Sequence, residues 1–270
     1  TYLHVPTPEI LRIYLEQGAR RFVFEGAECG GHTGPLTGFT LWESMVDLLL
    51  TAAAPAAVAQ MQILFAGGIH DARSAAMIAA LAAPLAQRGA AIGVLMGTAY
   101  LFTAEAVVAG AIVPAMQQQA LRCRTTVTLE TGPGHVIRCA PTPFTAAFAA
   151  ERARLRAAGQ NEAEITAALE ALLLGRLRIA AKGIVRDAQG LRRIDATEQL
   201  AEGMYMMGEL AALRNNVDSA ATPATTTCAD LHRAVSEDST LLLAQRAAAD
   251  TVLAPRPARY VRLRATGSTM

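Results

Sequence analysis

Three short, almost entirely apolar runs punctuate the first part of the chain. They are "RRFVFEG" at 20–26, "MQILFAGGI" at 61–69 and "AAIGVLMGT" at 90–98. A segment with the spacing of an amphipathic helix separates each run from the next. Runs without hydrophobic–polar alternation that alternate with helices are typical of parallel strands covered on both faces. The pattern therefore predicts an α/β fold with a parallel sheet.

The expected helices have recognisable ends. Thr7 is a candidate N-cap with Pro8 at the first helical position. Asp71 or Ser74 can cap the helix after the second strand. Pro84 inside that helix predicts a kink or a break. Another helix is expected over 41–53.

Alternation of this kind builds either an open doubly wound sheet or a barrel. A (β/α)8 barrel spends roughly 30 residues on each unit, being about 250 residues in eight units. Three units and a preceding helix fit before residue 113, after which the alternation stops. We therefore expect 1–113 to be the carboxyl-terminal portion of a (β/α)8 TIM barrel. Since the chain opens with Thr1 just before a helix, it is expected to be cut from a longer polypeptide.

The rest of the chain has a different pattern. Residues 114–213 are expected to be a helical segment packing on the barrel, with helices over 161–177 and 196–213. Residues 214–270 are expected to be a linker and tail leading to a possible further domain. One more helix is predicted there, over 229–248.

Composition narrows the function classes. The chain has 270 residues, 52% of them hydrophobic, and a net charge of +1 with 5% aromatics. Neither a basic field nor stacking surfaces for nucleic acid are present, and the long apolar stretches are too interrupted to cross a membrane. The four cysteines lack CxxC spacing, which favours reduced thiols in a cytoplasmic protein. The histidines show no metal-binding spacing, so no metal site is expected.

Glycines end the second and third strands. In parallel α/β proteins, ligands bind at the carboxyl ends of the strands. Gly67 and Gly68 would let backbone N–H groups approach an anion, and the following helix adds its positive end. Met96, Gly97 and Thr98 offer the same at the next strand. The glycines could instead only make tight turns, but two such sites on successive strands favour a phosphate.

The first strand ends in "EGAECGGHTG", which raises a candidate for catalysis. His32 follows Gly30 and Gly31, where an imidazole would point into the mouth of the site. The alternative is an ordinary packing histidine. Cys29 is interpreted as a packing residue, because no base adjoins it. Glu25 and Glu28 are further candidates for ligand or cofactor contacts.

Arg176, Arg178 and Lys182 form a basic run. It is interpreted as a solvated face, with contact to a phosphate tail as the alternative.

Three motifs in order resemble the carboxyl half of the nitronate monooxygenase (2-nitropropane dioxygenase-like) family. They are "EGAECGGHTG", "ILFAGGIHDARSAAMIAAL" and "GVLMGTAYLFTAEA". The likeness continues through "TVTLETGPGHVIRCAPTPF" and "AEGMYMMGELAAL". The family includes the bacterial FMN-dependent enoyl-acyl-carrier-protein reductases, and the preceding glycine-glycine-histidine separates it from inosine-monophosphate-dehydrogenase-like barrels.

The resemblance implies an FMN site and a catalytic His32 facing the substrate. The implied cofactor-binding residues are Glu25, Gly30, Gly31, Gly67, Gly68, Leu95, Met96, Gly97 and Thr98. Many nitronate monooxygenases have glutamine at the position of Glu25, whereas the enoyl reductases tend to have glutamate. The family's first strands have no counterpart in this sequence. We therefore expect the isolated chain to bind FMN poorly, to self-associate and to have little or no activity.

Three functions follow as expectations. The first is flavin-mediated oxidation of a nitronate with dioxygen. The second is reduction of an enoyl thioester with NAD(P)H, with an acyl carrier protein or the domains of a polyketide or fatty acid synthase as partners. The third is a non-catalytic, truncated module of a multidomain synthase, suggested by a faint likeness of "CADLHRAVSEDSTLLL" to inter-domain segments of polyketide synthases.

Overall fold

The computed structural model describes residues 1–214, 227–240 and 243. The strands are β1 (Leu3–His4), β2 (Arg21–Glu25), β3 (Gly31–Thr33), β4 (Gln62–Ala66), β5 (Ala91–Leu95), β6 (Val127–Gly132), β7 (His135–Cys139), β8 (Ile184–Asp187) and β9 (Gly190–Arg193). The α-helices are α1 (Pro8–Glu16), α2 (Gly38–Ala52), α3 (Pro55–Val58), α4 (Ala72–Gln87), α5 (Ala104–Val108), α6 (Pro114–Arg122), α7 (Pro143–Ala157), α8 (Glu162–Leu173), α9 (Arg176–Lys182), α10 (Ala196–Glu202), α11 (Leu210–Arg214) and α12 (Cys228–Arg233). A 3-10 helix spans Thr98–Phe102, and a π-helical turn spans Ala234–Asp238.

A parallel four-stranded sheet organises the first part of the chain. Its order is β1-β2-β4-β5. Glu25 pairs with Ala66, and Ala66 pairs with Leu95, so three carboxyl ends lie side by side. The predicted α/β fold with a parallel sheet is confirmed. The strand β1 was not predicted, because two residues are too few to carry a hydrophobic pattern.

Apolar side chains on one face of this sheet form the main core with the helices. Phe22, Phe24, Ile63 and Phe65 are fully buried, together with residues of α1, α2 and α4. Trp42 on α2 packs edge-on against Phe65 and donates its indole N–H to the Phe24 carbonyl at 3.0 Å. The other face is less covered: Val23 is buried, but Leu64 is half-buried and β5 has no buried residue. The expected cover on both faces is therefore incomplete in the described residues.

A second, antiparallel sheet lies beside the first. Its order is β3-β7-β6, and β6 and β7 form a hairpin whose turn holds Gly134 at φ +78°. The separate hairpin of β8 and β9 follows α9. Residues 114–213 therefore contain four strands besides the expected helices. These strands are short and half-exposed, and β3 pairs across more than 100 residues of sequence, a contact that local patterning cannot predict.

The predicted helix ends are confirmed. Thr7 caps α1, and Pro8 is its first residue. Asp71 caps α4 through the Ser74 N–H, and the Ser74 hydroxyl bonds back, so both candidates take part in one capping box. Of the two outcomes expected at Pro84, the break is wrong, because α4 continues to Gln87, and the kink stays a prediction.

The single helix predicted over 196–213 is also wrong. The structure ends α10 at Glu202, runs extended through Met206 and starts α11 at Leu210. A Cβ at Gly203 would lie 2.6 Å from the Gln199 carbonyl oxygen, so the chain is packed tightly where it leaves the helix. The break carries Leu210 to the ends of the parallel strands.

A second apolar cluster joins the two predicted segments. It contains Phe102 and Ile112 from the first segment, and Met116, Tyr205 and Leu210 from the second. The predicted boundary at residue 113 is thus crossed by core packing, and the division of the chain into three parts stays a prediction.

Two predictions fall wholly or partly outside the described residues. The linker lies almost entirely within the undescribed 215–226, and the tail helix predicted over 229–248 is described only to residue 240 and at 243. In the described ranges, no helix has both the length and the apolar character needed to cross a bilayer.

Candidate functional site

A cavity of about 230 Å³ opens where β2, β4 and β5 end. We call it the glycine cavity. Its walls are formed by Glu25, Cys29, Gly30, Gly67, Gly68, Ile69, Leu95, Met96, Gly97, Thr98 and Leu210. Eight of the nine predicted cofactor residues line it, and Gly31 does not. The structure thus brings together the strand ends that the sequence singled out.

The turn after β4 requires glycine at two positions. Gly67 has φ +99° and Gly68 has φ +75°, values that side chains rarely adopt. A Cβ at Gly67 would also lie only 2.9 Å from the Gly26 carbonyl oxygen. Ile69 completes this edge of the cavity, and α4 begins three residues later. This turn therefore exposes backbone rather than side chains to the cavity.

The turn after β5 is built differently. A Cβ at Gly97 would meet no atom within 4 Å, and Gly97 has φ −116°, so open space rather than crowding surrounds it. The Thr98 hydroxyl oxygen accepts the Gly208 N–H at 2.8 Å. A hydroxyl that accepts one hydrogen bond can still donate another. Thr98 thus both fixes the chain before α11 and keeps a donor for a ligand.

The Glu25 carboxylate has a histidine partner. Nε2 of His4 lies 2.8 Å from Oε2 of Glu25, with the His4 side chain 47% exposed and Glu25 26% exposed. Each residue stands at the carboxyl end of its strand. Sequence reasoning missed His4 because β1 was not recognised. The signal that could have found it is the pair Leu3–His4, a two-residue strand just before the N-cap Thr7.

Cys29 is a protonated packing residue. Burial, followed by the charge of Glu25, raises the pKa of its thiol to about 12. Its Sγ–H donates to the His32 carbonyl at 3.4 Å. This bond helps to hold the segment 26–30 between β2 and β3, which we call the glycine loop. A thiol in this state is a poor nucleophile, in agreement with its sequence interpretation.

Glu28 and Arg138 fix the loop from outside the cavity. Both carboxylate oxygens of Glu28 accept the Gly38 N–H, at 2.7 and 2.9 Å, at the start of α2. Glu28 is therefore committed to the helix rather than to a ligand in the glycine cavity. The Arg138 guanidinium donates to the Ala27 carbonyl at 2.9 Å and pairs with Glu209 at 2.9 Å. Sequence reasoning missed Arg138, because its partners are distant in the chain.

A half-buried cation, Arg214, lies behind the turn at Gly67 and Gly68. Arg214 donates from Nη2 to the His70 carbonyl at 2.8 Å and faces the Phe102 ring. Burial lowers the pKa of Arg214, while the nearby Asp71 opposes that shift. The residue remains a cation at neutral pH, because an arginine guanidinium is in practice always protonated. The positive charge of Arg214 thus lies against His70, the residue that follows Ile69 in the cavity wall.

His32 lies outside the glycine cavity. It is exposed on β3 and lines a separate groove of about 290 Å³, here called the methionine groove. Its other walls include Ile137, Leu173, Leu174, Leu177, Met204 and Met206. Alternation along the strand turns Gly31 inward and His32 outward. Only Gly30 and Gly31 separate His32 from Cys29 in the sequence, and Gly30 lines the glycine cavity whereas His32 lines the methionine groove.

The basic run divides into separate roles. Arg176 pairs with Glu202 and stacks over Phe144. Lys182 donates to the Gly110 and Ala111 carbonyls. The buried Nε of Arg178 has no hydrogen-bond partner among the described residues. The run is therefore not a uniform solvated face.

Within the part of the chain that the structure describes, no three His, Cys, Asp or Glu side chains are grouped so that they could hold a metal ion.

Comparisons with known proteins agree with this architecture. The family described as Nitronate monooxygenase matches residues 3–220. Similar solved structures include FabK from Thermotoga maritima, with 23% identity, a TM-score of 0.59 and coverage of 90% of this chain and 63% of that one. A point mutant of the same FabK gives 20% identity, a TM-score of 0.59 and coverage of 92% and 61%. No curated protein sequence matches the chain. The chain thus spans less than two thirds of these structures, and at this identity the likeness shows the fold.

Proposed function

Since this chain belongs to the nitronate monooxygenase family, we propose that it is part of an FMN-dependent oxidoreductase. The observation that carries the proposal is the glycine cavity. Three neighbouring parallel strands present two glycine turns and a threonine to one space. Exposed backbone N–H groups and a hydroxyl are the donors that bind phosphate in α/β proteins.

The phosphate-bearing end of FMN fits this cavity. Its volume of about 230 Å³ is below the roughly 300–1,000 Å³ of pockets that enclose a drug-sized ligand. Gly67, Gly68, Gly97 and Thr98 would hold the phosphate, and Glu25 and Gly30 would lie nearer the flavin ring. Arg214 behind the turn adds a cation that favours an anion there.

The methionine groove favours reduction of an enoyl thioester. When bound, FMN would supply two-electron hydride chemistry, with NAD(P)H as the hydride donor and the β-carbon of the enoyl group as the hydride acceptor. His32 would hydrogen-bond the thioester oxygen, where negative charge develops. Several apolar side chains beside His32 suit an acyl chain better than a small nitronate.

Nitronate oxidation is the second candidate, favoured by the family match over residues 3–220. In that reaction His32 would hold the nitro oxygens or remove the α-proton, while dioxygen is the final electron acceptor. Both candidates place the substrate beside His32 and the phosphate at the glycine turns. The enoyl reduction requires NAD(P)H and a substrate with an acyl chain, whereas the nitronate oxidation requires dioxygen and a small substrate.

A titration with FMN tests the proposal. Trp42 is the one tryptophan in the sequence and bonds to the carbonyl of Phe24, next to Glu25. Because flavins absorb where tryptophan emits, we expect FMN to quench its fluorescence saturably. The full natural protein would then be assayed with a crotonyl thioester and NAD(P)H, and with a nitronate and dioxygen. Binding of FMN without turnover of either would indicate the non-catalytic module, and the absence of FMN binding by the full natural protein would refute the proposal.

A further inference from the structure

The segment 227–238 packs against the part of the fold that holds the glycine cavity. It contains α12 and the π-helical turn, and we call it the tail segment. Leu231 is 2% exposed and belongs to the second apolar cluster, together with Phe102 and Leu210. The π-helical turn packs against α4. The stretch that resembles an inter-domain segment is therefore, in its described part, a docked element of this fold.

Two polar contacts join the tail segment to residues that closely follow Thr98. The Tyr100 hydroxyl oxygen and Nε2 of His232 are 2.7 Å apart, and the two rings meet edge to face with 5.9 Å between their centroids. Both carboxylate oxygens of Glu105 accept the Cys228 N–H, each at 3.1 Å. That N–H belongs to the first turn of α12, where helical N–H groups have no partner within the helix. The contacts thus fasten the 3-10 helix and α5 to α12.

The turn after β5 depends on contacts from outside the sheet. No residue of β5 is buried, and open space surrounds Gly97. The 3-10 helix that follows has poorer hydrogen-bond geometry than an α-helix. The Gly208 N–H fixes the Thr98 hydroxyl, and α6 donates a hydrogen bond to the Leu101 carbonyl. Between these two points, the tail segment holds Tyr100.

The tail segment also connects the elements that follow the two glycine turns. The 3-10 helix begins at Thr98, directly after Gly97, and α4 begins four residues after Gly68. The first of these helices bonds to α12, and the second packs against the π-helical turn. A phosphate held by donors from both turns requires a fixed spacing between them, because hydrogen bonds weaken steeply when their geometry is wrong. An element that packs on both helices restrains that spacing.

We propose that the tail segment is a positioning element for the phosphate group of FMN, and that it acts through Tyr100 on the donors at Thr98. The inference rests on the proposed function and deepens it by naming the part of the chain that sets cofactor affinity. Leu231 and His232 lie outside the described wall of the glycine cavity, so they position the site and do not bind the ligand. Because coupling between two sites is reciprocal, bound phosphate should also stabilise the docked tail segment.

FMN and riboflavin, which differ by one phosphate group, are the two probes. Equilibrium dialysis of the full natural protein measures the Kd of each, and the ratio of the two values is the phosphate gain. We expect a gain of about tenfold or more, as charge-assisted hydrogen bonds provide. His232→Ala should lower the gain about threefold, as the loss of one hydrogen bond does, and Leu231→Ala should remove most of it. Riboflavin binding should stay unchanged in both variants.

Three further variants show whether the effect passes through the contact between Tyr100 and His232. His232→Gln, whose amide can still bond to the Tyr100 hydroxyl, should restore part of the gain. Tyr100→Phe should match His232→Ala, and the two together should cost no more than either alone. The matched control is Glu237→Gln, at an exposed position of the same segment, which should change neither probe. Thermal melting shows whether each variant is folded, and the exposed His232 decides the result if Leu231→Ala does not fold.

Hydrogen exchange measures the reverse direction of the coupling. Saturating FMN should slow exchange of the amides in 228–238 more than saturating riboflavin does, and His232→Ala should reduce that difference. A phosphate gain that persists in the folded variants, or an equal loss of affinity for both probes, would overturn this inference alone. Equal affinity of the unaltered protein for FMN and riboflavin would do the same. Failure to bind either flavin would instead overturn the proposed function.

Discussion

The imidazole of His4 and the carboxylate of Glu25 meet at 2.8 Å across neighbouring parallel strands. The contact holds the carboxylate at the edge of the glycine cavity, where Cys29 also lies. Glu25 acts on Cys29 through its charge, which is one of the causes of the raised pKa of that thiol. The reactivity of a cysteine thus reports the charge state of a predicted cofactor contact.

Replacing Glu25 with glutamine should make Cys29 more reactive. Glu25→Gln removes a negative neighbour, so the pKa of Cys29 should fall from about 12 and its thiolate fraction should rise at any given alkaline pH. Burial, the larger cause, remains, so we expect a gain of about threefold in the rate of alkylation. Iodoacetamide labelling at alkaline pH, followed by mass spectrometry, measures it.

Cys139 is the internal control for that experiment. Burial also raises its pKa to about 12, but Glu25 is not among the causes. Its labelling should be the same in both proteins. Equal acceleration of Cys29 and Cys139 would mean that the substitution loosened the fold instead.

An added methyl group at Gly97 should disturb FMN and not folding. No atom lies within 4 Å of a Cβ there, and φ is ordinary for any residue. Gly97→Ala should therefore keep the melting temperature while weakening FMN binding about tenfold, because the methyl group occupies space meant for the phosphate. Trp42 quenching measures the affinity. Unchanged affinity in a folded variant would remove Gly97 from the predicted site.

Truncating His32 should separate catalysis from cofactor binding. His32 is exposed and lines the methionine groove, not the glycine cavity. His32→Ala is thus expected to leave the FMN affinity and the melting temperature unchanged and to lower kcat about a hundredfold or more. Rapid-kinetic measurement of flavin reoxidation by substrate tests this. Full activity in the variant would show that His32 is a surface residue.

Loss of the α4 cap should cost stability in a pH-dependent way. Burial raises the pKa of Asp71, but the hydrogen bonds from Ser74 outweigh it, and the net pKa is lowered from 3.8. Asp71→Ala should reduce the free energy of unfolding by about 1 kcal/mol. Because the folded pKa is lowered, the charge-dependent part is present above pH 3.8 and lost as the pH falls below it.

Asp71→Asn is the matched variant, since it keeps the cap acceptor and cannot ionise. Urea unfolding at neutral and acidic pH should show the gap between wild type and the alanine variant narrowing in acid. The gap between the asparagine and alanine variants should stay constant. A constant gap in the first comparison would mean that the charge of Asp71 contributes nothing.

Local sequence signals were sufficient for the strand-end glycines and the helix caps. Gly67, Gly68 and Gly97 follow continuous apolar runs, so their place at the sheet edge could be predicted from the points where those runs end. The placement of His32 required the pairing of β3 with β7, which puts it opposite Ile137. That contact spans more than 100 residues, and no local pattern encodes it.

The same limit explains what was missed around the site. Leu210 reaches the cavity because the predicted helix ends at Glu202, a break caused by tertiary packing around Gly203. His4 belongs to a two-residue strand that only its partner β2 defines. Arg138 contacts the glycine loop from a hairpin predicted only as part of a helical segment.

Arg138 also has a consequence for the order of folding. Its guanidinium ties the glycine loop at Ala27, Thr126 before β6 and Glu209 before α11 into one assembly. The parallel strands can pair without it, but this loop is fixed only after the distant hairpin has docked. Closing such long connections is slow compared with local helix formation. During refolding, FMN binding should therefore appear later than the far-ultraviolet circular dichroism signal. The Arg138→Ala variant should regain that signal without this later phase of FMN binding.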